Sequence, residues 1–146
     1  MPRGVEYHCQ GFNCAESVLL GLCEYLKVES PLIPRIATGF GGGIGHTGNI
    51  CGAITGAIMA LGIRFGRENP QDKDTRDKLY RLTAAFLRDV ERKLGHLDCF
   101  SLIGVHLDTE EGLERYRKEN LRERCRQIVG IIEDIAQQYL AGDHPL

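Results

Sequence analysis

Residues 39–48 have the sequence GFGGGIGHTG, and residues 51–65 continue as CGAITGAIMALGIRF. The density of glycine in the first stretch predicts a loop, because glycine adopts backbone conformations that other residues resist. The second stretch is mostly apolar, and its length predicts a buried helix from about Cys51 to Phe65. We therefore expect a glycine-rich loop that leads into a central buried helix.

Small residues form a stripe along this predicted helix. They are Gly52, Ala53, Gly56, Ala57 and Ala60. A glycine inside a helix costs about 1 kcal/mol relative to alanine, so the stripe indicates that a neighbouring backbone or a cofactor approaches closely. Close helix packing is predicted here.

The rest of the chain also favours helices, and no convincing strand pattern or internal repeat is present. Capping residues mark several starts, Asn13, Asp98 and Thr109 among them. The predicted helical segments cover residues 14–26, 35–38, 51–65, 72–94, 98–104 and a long C-terminal stretch around 125–139, fraying after 141–142. The expected fold is an all-α bundle of about five helices, in a single domain over residues 1–146.

Composition argues against several classes of function. Lys plus Arg total 18 against 20 Asp plus Glu, and a net charge of -2 gives no field that attracts nucleic acid. The apolar stretch ending at Phe65 is shorter than the roughly 20 residues of a membrane span. Met1 is followed by PRGVE rather than a secretory signal, so we expect a cytoplasmic protein. The small-residue helix and the amphipathic outer helices would allow a homodimer.

Six cysteines are many for a cytosolic chain, where permanent disulfides are uncommon. They are Cys9, Cys14, Cys23, Cys51, Cys99 and Cys125. No two of them form a CxxC pair, which excludes the usual zinc-ribbon, thioredoxin and local iron–sulfur signatures. Any shared site must be assembled from distant segments by the fold.

Four ordered blocks of sequence carry a resemblance to a known family. They are GFNCAESVL at residues 11–19, GFGGGIG at 39–45 with CGAITG at 51–56, DCFSLIG at 98–104, and Cys125. Over nearly the whole chain these blocks resemble the redox-active protein family named for its C…CGAxxG…C…C pattern. A more distant likeness to the non-haem part of split-Soret cytochromes favours an iron–sulfur cluster. The sequence lacks the CxxCH motif that attaches haem c.

The resemblance implies a redox role for four of the cysteines, which would also be the metal ligands. These four are Cys14, Cys51, Cys99 and Cys125. Cys9 and Cys23 lie outside the pattern, and we expect Cys9 to be an incidental thiol and Cys23 a small buried hydrophobe.

The predicted position of each family cysteine bears on its chemistry. Cys14, Cys51 and Cys99 are predicted in the first turns of helices, where the helix dipole favours thiolate. A lowered thiol pKa serves both metal ligation and attack on a disulfide, and Cys51 and Cys99 are predicted to be catalytic. Cys125 lies on the apolar stripe of its helix, so we expect it to point inward and close the site.

The glycine loop is expected to bind the cofactor through Gly41, Gly42, Gly43 and His46. Its N–H groups can donate hydrogen bonds to the sulfurs of a negative centre. His46 could act as a ligand or proton donor, or simply face solvent. The loop lacks the Lys-Ser/Thr ending of a phosphate-binding loop and no strand precedes it, which disfavours nucleotide binding.

Other polar residues near the pattern have simpler interpretations. His96 and His106 flank Cys99 and are candidates for the site, although capping of a helix end explains His96 without any function. The charged run over residues 110–126 is expected to be a solvated helix face.

Four neighbouring thiolates would repel one another unless a cation or cluster neutralises them or they oxidise to disulfide. We therefore predict an iron–sulfur cluster or other metal used for electron transfer. Its redox partner would be a protein or a small-molecule electron donor that the sequence does not identify. Two alternatives stay open: a thiol–disulfide oxidoreductase without metal, and a structural zinc site in a helical module.

Overall fold

Helix α3 packs against α2, α4 and α7 in the computed structural model, which describes residues 2–142. The helices are α1 (Arg3–Gln10), α2 (Cys14–Leu26), α3 (Gly52–Phe65), α4 (Lys73–Leu94), α5 (Cys99–Ile103), α6 (Glu110–Lys118) and α7 (Leu121–Leu140), with a 3-10 helix at Arg35–Phe40. The described residues contain no strand, only an isolated antiparallel bridge between Ile50 and Asp98. The all-α prediction is confirmed.

The described chain has seven α-helices rather than about five. Helix α1 was not expected; it ends at Gln10, and the following Gly11, whose φ is 113°, reverses the chain before α2. The charged region after Thr109 is two helices, separated at Asn120, whose φ is 51°. Helix α7 ends at Leu140, and the fraying predicted beyond residue 142 lies outside the described residues.

Local capping explains why several helices begin where the sequence predicts. The Asn13 side chain accepts a hydrogen bond from Glu16 N at 2.8 Å, and the Glu16 side chain accepts one from Asn13 N at 2.9 Å. The two bonds form a capping box at the start of α2. Asp98 caps α5 by accepting from Ser101 N at 2.9 Å. These caps fix the first residues of α2 and α5, both of which are cysteines.

The small-residue stripe of α3 packs against the backbone of α2, as predicted. A Cβ added at Gly56 would lie 2.5 Å from the carbonyl oxygen of Ala15. One added at Gly52 would lie 2.9 Å from Phe40 O and 3.1 Å from Ala15 N. The approach is therefore between backbones, and any side chain at Gly56 would separate the two helices.

Helix α3 is also the interior helix that its composition predicts. Ala53, Ile54, Ala57 and Leu61 are fully buried in the main core. As expected, α3 does not reach membrane-spanning dimensions, and no other helix within residues 2–142 is long and apolar enough to do so.

Helix α7 holds the short helix α1 at both ends. The buried Glu133 carboxylate accepts a hydrogen bond from Gly4 N at 2.7 Å, at the start of α1. The Arg122 guanidinium donates to His8 O at 2.7 Å and to Phe12 O at 3.2 Å, at the end of α1. These long-range contacts, rather than the helix propensity of eight residues, dock α1 on the bundle.

Candidate functional site

The structure brings the four family cysteines together around one cavity of about 470 Å³. Cys14 and Cys99 are the first residues of α2 and α5, Cys51 immediately precedes α3, and Cys125 lies within α7. Each cysteine therefore comes from a different part of the sequence. Their roles as ligands or catalytic thiols stay predictions, but they share one site.

A backbone bridge places Cys51 beside Cys99. Cys51 N donates to Leu97 O at 2.9 Å, and Cys99 N donates to Asn49 O at 2.7 Å. These bonds surround the antiparallel bridge between Ile50 and Asp98. The end of the glycine-rich segment thus docks directly on the start of α5.

Cys14 and Cys125 form the second close pair. The Cys125 sulfur accepts a hydrogen bond from the Tyr116 hydroxyl at 3.3 Å, and the Cys14 thiol interacts with it from the other helix. The interaction with Cys14 and the bond from Tyr116, together with the positive charges of Arg122 and Arg124, lower the pKa of the Cys125 thiol. The interaction with Cys125 and burial raise the pKa of Cys14 well above its usual value. Of the pair, Cys125 therefore ionises more readily than Cys14.

The prediction of lowered thiol pKa values at the helix starts is wrong. Burial raises the pKa of Cys51 to about 11, although the amides of Ala53 and Ile54 partly offset the rise. Burial and the neighbouring Cys51 and Cys125 raise the pKa of Cys99 to about 12. Loss of solvation outweighs the helix dipole, whose effect is modest.

The glycine-rich segment forms one wall of the cavity. Every residue from Gly42 to His46 has a positive φ, between 57° and 68°. Gly43 has no room for a side chain, since an added Cβ would lie 2.6 Å from both Cys99 Cβ and Asn49 O. The glycines therefore permit both the left-handed backbone and the close approach to Cys99.

Most backbone N–H groups of this segment donate hydrogen bonds to carbonyl oxygens of the same segment. Fewer of them are therefore free to bind a cofactor than the sequence predicted. Gly45 N donates to Gly39 O, and His46 N donates to Gly41 O. Among the described residues, the N–H groups of Gly42 and Gly43 have no hydrogen-bond partner. Both residues line the cavity, as does Gly41.

The histidines that the sequence suggested occupy different positions. His46 is exposed and lines the cavity from its glycine-rich wall. His96 and His106 do not line it. The His106 ring stacks on Phe100 instead, with ring centroids 4.0 Å apart.

Sequence reasoning missed His8, which the unexpected helix α1 places at the cavity. Its side chain is 1% exposed, and its Nε2 lies 3.7 Å from Cys14 Sγ. Burial, with the charges of Arg122 and Arg126, lowers the pKa of His8 to about 4, so the imidazole is neutral. Gly11 was the available signal, because glycine two residues before a helix cap is typical of a preceding helix end.

Tyr116 and Arg122 also line the cavity, although the charged run that contains them was expected to face solvent. The expectation holds only for part of that run. Leu113 and Tyr116 are three residues apart and pack with Cys125 in a small core cluster. This spacing was the signal for an inward face.

The two cysteines outside the family pattern also lie outside the cavity. Cys9 is exposed on α1, and Cys23 is buried in the main core. All six thiols are free.

The geometry bears on which metal group the thiols could hold. Over the described part of the chain, no three His, Cys, Asp or Glu side chains are gathered closely enough to hold one metal ion. Four thiols around a cavity of about 470 Å³ nevertheless provide the donor type that an iron–sulfur cluster requires. The donor type of the site therefore fits a cysteine-bound metal group.

Comparison with known proteins agrees with the cysteine pattern. A protein of Archaeoglobus fulgidus, described as "Uncharacterized protein", is 37% identical over 62 residues, which are 42% of this chain and 41% of that protein. The match thus spans about two fifths of the relative's length. No solved structure matches the chain significantly. The family model described as "Putative redox-active protein (C_GCAxxG_C_C)" matches residues 12–139. The chain belongs to the C_GCAxxG_C_C family.

Proposed function

We propose that the protein transfers electrons through an iron–sulfur cluster held by its four family cysteines. The proposal rests on one observation: thiols from four separate segments line a single cavity. These ligands would be Cys14, Cys51, Cys99 and Cys125. When bound, the cluster would supply reversible one-electron chemistry. The family description also points to redox activity.

The placement of the thiols around a cavity, rather than around one point, supports a cluster over a single zinc ion. Zinc bound to four thiolates at about 2.3 Å requires neighbouring sulfurs roughly 3.8 Å apart. No three ligand side chains of the described residues meet the condition for one ion. A cluster distributes its ligands over several iron atoms, so it does not require all of its cysteine sulfurs to converge on one point. The unpartnered N–H groups of Gly42 and Gly43 are available to donate hydrogen bonds to its sulfurs.

The chain's own residues would set how the site loads. Ligation requires thiolates, and Cys125 loses its proton most readily because its interaction with Cys14 and the bond from Tyr116 stabilise the thiolate. The buried Cys51 and Cys99 keep their protons until a cation compensates their charge. Loading therefore releases protons and is favoured by higher pH.

Anaerobic reconstitution with ferrous iron and sulfide tests the proposal. We expect bound iron and acid-labile sulfide, visible absorption that bleaches on reduction, and an EPR signal from the reduced or oxidised cluster. Single Cys→Ala substitutions at the four family positions should each remove most of the iron. Cys23→Ala is the matched control, since Cys23 is 4% exposed but lies outside the cavity. Colourless wild-type protein, or four variants that load as well as the control, would exclude a cysteine-bound cluster.

A second function, thiol–disulfide exchange, is favoured by the pairing of Cys14 with Cys125, whose thiols interact directly. The Cys125 thiolate would attack a disulfide R–S–S–R′, forming a mixed disulfide with R and releasing R′S⁻. Deprotonated Cys14 would then attack the Cys125 sulfur, forming the Cys14–Cys125 disulfide and releasing RS⁻. Two electrons pass to the substrate, and the thiol protons neutralise the leaving thiolates. This pair differs from the Cys51 and Cys99 that the sequence favoured.

Mass spectrometry of alkylated, metal-free protein tests the exchange reaction. Oxidation by a disulfide substrate should lower the mass by about 2 Da per bond formed and protect Cys14 and Cys125 from alkylation. Cys9, which is exposed, should stay reactive as an internal control. Unchanged mass and full alkylation after treatment would contradict this function.

A further inference from the structure

We propose that His8 is a positioning residue of the metal centre: its Nε2–H donates a hydrogen bond to the Cys14 sulfur and raises the reduction potential of the cluster. This inference rests on the proposed iron–sulfur function. Neither the cysteine pattern nor the family description assigns a role to His8, which precedes the residues 12–139 that the family model matches.

The position of the imidazole carries the inference. His8 is 1% exposed and lines the same cavity as the four cysteines. Its Nε2 lies 3.7 Å from Cys14 Sγ, within reach of a hydrogen bond to sulfur. Its Nδ1 is buried without a hydrogen-bond partner. A buried imidazole with one unpaired nitrogen is costly, so an apolar side chain would serve packing alone better.

Hydrogen bonds from helix α7 hold α1, and with it His8, in this position. Glu133 binds the first turn of α1 through Gly4 N, and Arg122 binds the His8 carbonyl oxygen at the other end. Gly21 leaves space for the carboxylate, because an added Cβ would lie 2.5 Å from Glu133 Oε1. Helix α7, which provides Glu133 and Arg122, also provides Cys125. Helix α7 therefore positions both the His8 imidazole and the Cys125 thiol.

The chemistry of a ligated thiolate fixes the direction of the hydrogen bond. A metal-bound Cys14 has no proton, so its sulfur can only accept, and His8 must carry a proton on Nε2 to donate. Hydrogen bonds to the sulfurs of a cluster favour the more negative, reduced state and raise its potential. No proton transfer is required.

Two variants with matched size separate this role from packing. His8→Gln keeps an N–H donor close to the position of Nε2, whereas His8→Phe fills the space without a donor. At a fixed applied potential, His8→Phe should lower the ratio of reduced to oxidised cluster about tenfold, a shift of ~59 mV for one electron. His8→Gln should stay close to wild type. Circular dichroism and iron content establish that each variant is folded and loaded.

Pulsed EPR of wild-type protein labelled with ¹⁵N-histidine provides a test that needs no stable Phe variant. We expect one weak nitrogen hyperfine coupling, typical of a hydrogen bond to a cluster sulfur, which disappears in His8→Gln. Strong coupling would mean direct ligation of iron and would overturn the inference, as would absent coupling or a coupling that survives in His8→Gln. An unchanged reduction potential in cluster-loaded His8→Phe would overturn the inference about His8 but not the proposed cluster. Failure of the wild type to bind a cluster would overturn the proposed function as well.

Discussion

The Tyr116 hydroxyl donates a hydrogen bond to the Cys125 sulfur across 3.3 Å. Tyr116 lies on α6 and Cys125 on α7, so this contact ties the helix pair to the cysteine cavity. Its effect is opposite to that of burial, which alone would raise the pKa of a thiol. Together with the interaction with Cys14, it makes Cys125 the most acidic of the four cavity thiols.

Tyr116→Phe should raise the pKa of Cys125 by about one unit, because a hydrogen bond to a charged acceptor is worth about 1.5 kcal/mol. The rate of Cys125 alkylation in metal-free protein, followed by peptide mass spectrometry, should then reach its midpoint at higher pH. Tyr80→Phe is the control, since Tyr80 is 65% exposed. Coincident pH profiles for Tyr116→Phe and wild type would show that the hydroxyl does not stabilise the thiolate.

Gly43→Ala should disrupt the site far more than Gly45→Ala. Both glycines have positive φ, 67° and 57°, so alanine should cost a similar backbone strain energy of about 1–2 kcal/mol at each position. Only at Gly43 would the new Cβ press against Cys99, at 2.6 Å; at Gly45 nothing lies within 4 Å. We expect Gly43→Ala to lose most of its iron on reconstitution while Gly45→Ala keeps it. Equal loading would argue against a tight wall at Cys99.

Two glycines of α3 offer a test of its packing on α2. Gly56→Ala should destabilise the protein by about 2–3 kcal/mol, because the Cβ would lie 2.5 Å from Ala15 O. Gly62→Ala has open space and should stabilise it by about 0.5–1 kcal/mol through better helix propensity. Urea denaturation measures both free energies of unfolding. A neutral Gly56→Ala would be inconsistent with backbone contact between the helices.

Glu133→Gln should change how stability depends on pH. Burial raises the pKa of Glu133 to about 7 in the folded protein, above its ordinary 4.5. The folded state thus binds this proton more tightly, so the residue's stabilising contribution is complete below pH 4.5 and is lost as pH rises through 7. Relative to wild type, Glu133→Gln should gain up to about 3 kcal/mol between these values, measured by urea denaturation.

The matched control for this pH test is Glu68→Gln, the same substitution at an exposed carboxylate between α3 and α4. Its free energy of unfolding should follow the wild-type pH dependence closely. A constant difference between Glu133→Gln and wild type over pH 4.5 to 8 would mean that Glu133 does not titrate in this range.

Most helix boundaries were predictable because their signals are local. Asn13 and Asp98 cap helices through hydrogen bonds that span three residues, and Asp72 does so for α4, accepting from Thr75 N at 3.1 Å. Helix α1 was not predictable in this way, since Glu133 and Arg122 dock it from more than 100 positions along the chain. The missed helix is also the reason that His8 was missed.

By itself, the sequence determined that the fold is helical and where most helices begin, because periodicity and helix caps act over short distances. It also determined which four cysteines belong to the family pattern, because the motifs and their order can be read directly from the residues. Only the tertiary structure decided which thiol ionises and which polar residues accompany it. The pKa of Cys125 depends on Cys14 and Tyr116, and that of Cys51 on burial. Solvation and hydrogen bonding at a buried site are set by groups that meet only when the chain has folded.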